Sequence, residues 1–203
     1  MASTIINISV GYDDYDLDFT DTQRGYAERH GYEYKKITDN LIPGALPTWS
    51  KHQAAIEIIE NRDAVMIIDT DAEILKTCPP FHRLVADNRR HDLFFALGHS
   101  FRPNAGMILL RGGSKSIAPE FLRTILAERL APTKDKVKRG GDNGHVISIL
   151  RRKMFAKKLF LLSPVWNNTI KTSDWDHIRH YTGPMREAFL ASAAEKVKSR
   201  QDP

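Results

Sequence analysis

Two carboxylates, Asp69 and Asp71, bracket one residue directly after the apolar run at 64–68 (AVMII). In extended chain, side chains two residues apart point the same way. Both carboxylates can then converge on one point. Side by side they repel, and a cation between them removes the repulsion. Hard oxygen ligands select magnesium, manganese or calcium over zinc. Such an ion keeps free positions for phosphate oxygens. The plain alternative is an acidic residue that follows a core strand and caps the next helix.

An apolar run of this length reads as a central parallel strand buried on both faces. Apolar runs at 4–10, 93–97, 105–110 and 159–162 read as further strands, and the segment 32–37 as the second strand in order. Helices are expected at 19–30, stopped by Gly31, and at 49–60, where Ala54, Ala55, Ile58 and Ile59 give an apolar face. Others are expected at 119–130, with Pro119 in its first turn, at 146–153, and at 185–200 as an amphipathic C-terminal helix. The charged stretch 131–144 carries Gly140, Gly141 and Gly144 and reads as a loop. Alternating strands and helices give an α/β fold with a mostly parallel sheet. Ligands of such sheets sit beyond the carboxyl ends of strands, which is where Asp69 and Asp71 fall.

The 203 residues suit one domain spanning 1–203. Hydrophobic content of 41% and charged content of 27% match an ordinary globular protein rather than a disordered one. The single cysteine, Cys78, excludes an intrachain disulfide and a thiol-built metal site, so a reducing, cytoplasmic location is expected. No basic n-region with a long apolar stretch marks residues 1–10 as a signal peptide. No apolar run approaches the ~20 residues that span a bilayer. The net charge of +5 favours anionic partners without choosing among them.

The segment from Asp63 to Asp71 (DAVMIIDTD) resembles the metal-binding segment of A-type (GT-A) glycosyltransferases. The likeness is to the glycogenin and bacterial lipopolysaccharide galactosyltransferase group, with fungal mannosyl- and galactosyltransferases and plant xylosyltransferases similar too. Four more segments match in order, over roughly residues 4 to 190. The turn VGYDDY at 10–15 looks like the one that receives base and ribose, with Tyr12 to stack and Asp13 to accept a hydrogen bond. In WSK at 49–51 the resemblance implies a basic residue that reaches the donor, with Lys51 as the candidate and His52 as its competitor. The run RPNAGMILLR at 102–111 is similar to the Asn-Ala-Gly strand beside the donor sugar, giving Asn104, Ala105 and Gly106. The run HYTGPMR at 180–186 resembles His-x-x-Gly-x-x-Lys. There His180 would be the third metal ligand, Gly183 would let the loop wrap the diphosphate, and Arg186 would replace the usual Lys on a phosphate.

One segment departs from the pattern. Asp142-Asn143-Gly144 stands where Asp-Gln-Asp or Glu-Gln-Asp is usual. Asp142 and Asn143 are the candidate catalytic residues, and Asp142 equally suits a helix N-cap. The resemblance implies a single Rossmann-like nucleotide-diphospho-sugar transferase domain. It implies a manganese or magnesium ion on Asp69, Asp71 and His180, a UDP-glucose or UDP-galactose donor, and a glycan or other hydroxyl acceptor. Retention of anomeric configuration is implied by the same likeness alone.

Two other classes fit parts of the sequence. An aspartyl-nucleophile magnesium phosphatase also has Asp-x-Asp after a strand, but such chains start near the motif and carry Thr or Val where Glu73 stands. A non-enzymatic basic nucleotide- or RNA-binding module could use Arg151, Arg152, Lys153, Lys157 and Lys158 around Phe155. Such a run is commonly a solvated helix face, so nucleic acid is not the expected partner.

Overall fold

The computed structural model describes residues 2–11, 17–133, 135 and 141–198. Tyr12 and Asp13, part of the 131–144 stretch, and the last residues of the expected C-terminal helix lie outside them.

Strand β1 (Ser3–Ile8) is followed by α1 (Thr20–His30), β2 (Glu33–Ile37), α2 (Ser50–Ile56) and β3 (Ala64–Asp69). Then come β4 (Ala72–Ile74), α3 (Phe81–Asp87), β5 (Leu93–Leu97), β6 (Pro103–Arg111) and α4 (Ala118–Ala127). Helices α5 (Asn143–Leu150) and α6 (Lys153–Ala156), strands β7 (Leu159–Leu162) and β8 (Ile178–His180), and α7 (Pro184–Lys198) complete the order.

The main sheet runs β2-β1-β3-β6-β5-β7. Strands β1, β2 and β3 are mutually parallel, as are β5 and β7. Only β6 runs against both its neighbours. The sheet is therefore mostly parallel, as expected, and β5 points the same way as β3. Strands β4 and β8 form a separate antiparallel pair.

The layering follows from the two-residue period of β3. Val65 and Ile67 face a core shared with α2, α4 and α5. Met66 and Ile68 face a second core with Tyr26 of α1 and Phe81 of α3. All four are fully buried. Each such side chain contributes roughly 1.5–3 kcal/mol against the exposed state. Two helical layers on one sheet explain the unbroken apolar run at 64–68.

Several boundaries differ from the expectations. Helix α2 ends at Ile56, and a short 3-10 turn over Ile59–Asn61 replaces its last part. The helix expected at 146–153 starts earlier, at Asn143, and ends at Leu150. Helix α7 packs Met185 and Phe189 beside Leu17 and Tyr181, but from Leu190 to Glu195 it is exposed, so its amphipathic character is confined to the start. At Gly31 the left-handed φ of +67 lets its N–H close α1 on the Ala27 and Glu28 carbonyls. No helix among the described residues is long and apolar enough to cross a membrane.

Candidate metal and donor site

Strand β3 delivers Asp69 at its last residue and Asp71 two places on. The buried Thr70 between them anchors the turn. Its hydroxyl donates to the Ile8 carbonyl (2.7 Å) and lies 2.9 Å from Ser9 Oγ. Gln23 of α1 ties the same segment by donating its amide to the Asp69 and Ala72 carbonyls (2.9 and 2.8 Å). Asn7 donates to Gln23 Oε1 (2.9 Å) and so completes the support.

The third member arrives from the far end of the chain. Strand β8 pairs with β4 so that His180 lies opposite Ala72. The Tyr181 N–H donates to the Asp71 carbonyl (2.9 Å). His180 Nε2 then stands 3.2 Å from Asp71 Oδ1 and 3.9 Å from Asp69 Oδ2. One ligand atom from each of the three lies within 4.8 Å of the others. Burial alone would push the His180 pKa down, but the Asp71 and Asp69 carboxylates hold it above its ordinary value. Burial would raise the Asp71 carboxyl, yet His180 and then Arg186 hold it low. Arg186, half-buried on α7, therefore acts electrostatically on Asp71.

Two carboxylates and an imidazole suit a divalent ion such as manganese, which accepts oxygen and nitrogen donors together. The room for the imidazole is built in. A Cβ on Gly106 would lie 1.8 Å from His180 Cε1.

Beside this group lies a buried cation. Lys51, on the first turn of α2, has its side chain 2% exposed. Its Nζ lies 3.1 Å from Asp69 Oδ1 and 3.2 Å from Asp142 Oδ2, and donates to the Ala105 carbonyl (2.8 Å). Burial disfavours the ammonium, but Asp142 and Asp69 outweigh it and raise its pKa. His52, fully buried, places Nε2 2.7 Å from the same Asp142 oxygen. Burial would raise the Asp142 carboxyl, yet Lys51 and His52 hold it down at about 2. Asp142 makes no side-chain cap to α5, so its carboxylate serves this cluster and not the helix end.

Asn143, the first residue of α5, accepts the Ala105 N–H through Oδ1 (2.9 Å). Asn104 Oδ1 accepts from the Gly106 N–H and from Asn167 Nδ2, both at 2.9 Å. Gly183 adopts φ +53, and a Cβ there would meet His99 Cε1 at 2.7 Å. Gly144, where the related pattern has an acid, packs against the Asp135 backbone: a Cβ would lie 2.1 Å from its carbonyl oxygen. No side chain fits there, which explains the departure.

The fold thus gathers Lys51, Asp69, Asp71, Asn104, Ala105, Gly106, Asp142, Asn143, Gly183, His180 and Arg186 around one edge of the sheet. Gln23 and Asn167 were not legible in the sequence. Gln23 sits in a polar helix with no motif, and Asn167 is fully buried in an irregular segment. A cavity of about 700 Å³ lies elsewhere, between Ser3, Tyr32, Asp63, His82 and Gly112 near the opposite ends of β1 and β3. It contains none of these residues.

No protein-family model matches the sequence, and no curated protein matches it. Among solved structures, a glycosyltransferase involved in the glycosylation of the major capsid of PBCV-1 matches with a TM-score of 0.68. The identity is 13%, over 92% of this chain and 97% of that one. The glycosyltransferase GlyE of Streptococcus pneumoniae TIGR4 matches at 0.49, with 15% identity over 90% of this chain and 55% of that one. A197 from STIV matches at 0.47, with 12% identity over 80% and 82%. The chain therefore has the α/β fold of a solved glycosyltransferase over nearly its whole length.

Proposed function

We propose that the chain is a metal-dependent glycosyltransferase that moves a sugar from a nucleoside-diphosphate donor, with UDP as the first candidate, to a hydroxyl acceptor. The convergence of Asp69, Asp71 and His180 at the carboxyl end of β3, in a fold shared with a solved glycosyltransferase, carries this reading.

In the reaction the acceptor oxygen bonds to the anomeric carbon, and the bond from that carbon to the diphosphate breaks. The electron pair leaves with the diphosphate. The hydroxyl proton passes to a leaving phosphate oxygen or to solvent. A divalent ion on Asp69, Asp71 and His180 would supply Lewis-acid stabilisation of the diphosphate charge. Arg186 adds fixed positive charge on the same side. Lys51 holds Asp69 and Asp142 in place and keeps two carboxylates from repelling. The donor sugar would lie beside Asn104, Ala105 and Gly106, whose backbone Lys51, Asn143 and the Asn104 side chain hold in place. A carboxylate held near pKa 2 is a weak base at neutral pH, so Asp142 orients and accepts hydrogen bonds and does not remove the acceptor proton.

Calorimetric titration of UDP with and without manganese, on wild type and on Asp71→Ala, tests the reading. Binding that needs both manganese and Asp71 supports it. Absence of metal-dependent binding of UDP, GDP and the other nucleoside diphosphates would overturn it.

A further inference from the structure

We propose that Phe101 is the acceptor platform of the transferase site, a ring on which a sugar of a glycan acceptor stacks. The proposal rests on the transferase reading above and adds the substrate class to it.

Phe101 combines two features that folding alone does not favour. Its side chain belongs to the most exposed large apolar groups, at 82%. It is also the one non-glycine residue with positive φ among the described residues, at +56. A bulky residue in the left-handed region is an outlier, where glycine or asparagine would sit without strain. Its ring stacks on no other ring among the described residues. A strained, exposed aromatic points to a use outside the fold.

Topology puts the turn that carries that ring at the same end of the sheet as the metal group. Strands β5 and β3 run the same way, so the β5–β6 turn lies over the same sheet edge as Asp69 and Asp71. The turn is closed by Phe101 N–H to the Gly98 carbonyl and Gly98 N–H to the Arg102 carbonyl, both 2.9 Å. It is braced from beneath. His99 N–H donates to Thr169 Oγ1 (2.7 Å), and the His99 ring fills the space against Gly183 on the His180 loop. Three residues beyond Phe101, Asn104 begins the segment that lines the Lys51 and His180 cluster.

The chemistry of the face selects a sugar. An aromatic face carries negative potential and attracts the positive C–H edges that a pyranose presents on one side. The sugar's hydroxyls stay in water or turn toward the site. A rigid turn holds the ring without ordering a flexible arm, which favours weak, ring-shaped ligands. The expected base-binding turn follows β1, on the other side of β3 from β6 and β5. Phe101 therefore flanks the side left open for an acceptor.

Saturation-transfer NMR with lactose, maltose, cellobiose and mannobiose, in the presence of UDP and manganese, tests the proposal. We expect saturable binding of at least one disaccharide to wild type, with transfer strongest to one face of C–H protons. Phe101→Ala should weaken it roughly tenfold. Phe101→Trp should retain it, and Phe101→Gly should lose it while melting no lower than wild type. Manganese-dependent UDP affinity should be the same in all four proteins. If none of the four sugars binds wild type, or if Phe101→Ala binds them equally, the platform is wrong while the UDP titration still stands. If Phe101→Ala weakens UDP itself, the ring serves the base and the proposal also falls. Failure of UDP, GDP and the other nucleoside diphosphates to bind wild type with manganese would instead reject the transferase reading.

Discussion

Gly106 and His180 share one space: a Cβ on Gly106 would stand 1.8 Å from the imidazole Cε1 and 2.3 Å from Nδ1. The glycine is therefore what admits the histidine to the two carboxylates. Gly106→Ala must push the ring away from Asp71 or distort β6. Overpacking of this kind costs about 1–3 kcal/mol. We expect Gly106→Ala to lower the melting temperature and abolish manganese-dependent UDP binding. Adding His180→Ala should restore the melting temperature but not the binding. Unchanged manganese dependence in Gly106→Ala would show that His180 is no ligand.

The Lys51 ammonium compensates two carboxylates at once, 3.1 Å from Asp69 and 3.2 Å from Asp142. Removing one partner of a buried ion pair leaves uncompensated charge, a loss of about 3–5 kcal/mol. Asp69 is partly exposed and can be rescued by water, so the damage should concentrate on Asp142. Lys51→Met should destabilise strongly in urea melts. The double variant Lys51→Met/Asp142→Asn should recover part of the loss, because no buried charge is then orphaned. Equal stability of the single and double variants would place the damage in packing, not charge.

These residues also show what the sequence could reveal. Strands β3 and β5 were readable within a residue because each buries an unbroken apolar run between other elements, and β7 because its run is apolar throughout although it lies at the sheet's edge with Leu161 exposed. The Asp69 and Asp71 pair was readable because it ends such a run. The elements β4, β8, α3 and α6 were not. Three-residue strands have no period to detect, and α3 opens after Pro80 with no side-chain cap to mark it. Yet β8 is what carries His180 to Asp71, so the third candidate ligand came only from resemblance. His52 was legible as a competitor to Lys51. The structure brings both side chains to the same Asp142 oxygen, His52 at 2.7 Å and Lys51 at 3.2 Å, and Lys51 also reaches Asp69. The antiparallel sense of β6 was equally hidden, since strand direction leaves no mark in an apolar run.

Asp142 links the site to acid stability. Its pKa is about 2 in the fold, against 3.8 ordinarily. A depressed carboxylate stabilises the fold above its unfolded pKa. That contribution is lost as the pH falls through the folded value. Wild-type stability should therefore drop between about pH 4 and pH 2 more steeply than that of Asp142→Asn. Chemical denaturation of the metal-free protein across that range reads both slopes. Parallel slopes would mean that the folded Asp142 carboxyl has an ordinary pKa.

Cys78 gives a check on the packing far from the metal group. Its side chain is 3% exposed, and Sγ donates weakly to the Pro79 carbonyl at 3.6 Å. Burial pushes the thiol up to about 12, against a small pull downward from the Tyr26 hydroxyl and Arg29. The thiolate is the reactive form, and neutral buffer supplies almost none of it here. The native protein at about pH 8 should resist a chromogenic disulfide reagent for hours, since reaction must await opening of the core. In denaturant the single thiol should react within the mixing time. Treating the native protein with an alkylating reagent should leave manganese-dependent UDP binding unchanged. Rapid stoichiometric labelling of the native thiol would show that the wall formed by Tyr26, Phe81 and the Pro79 turn is open, against the packing described here.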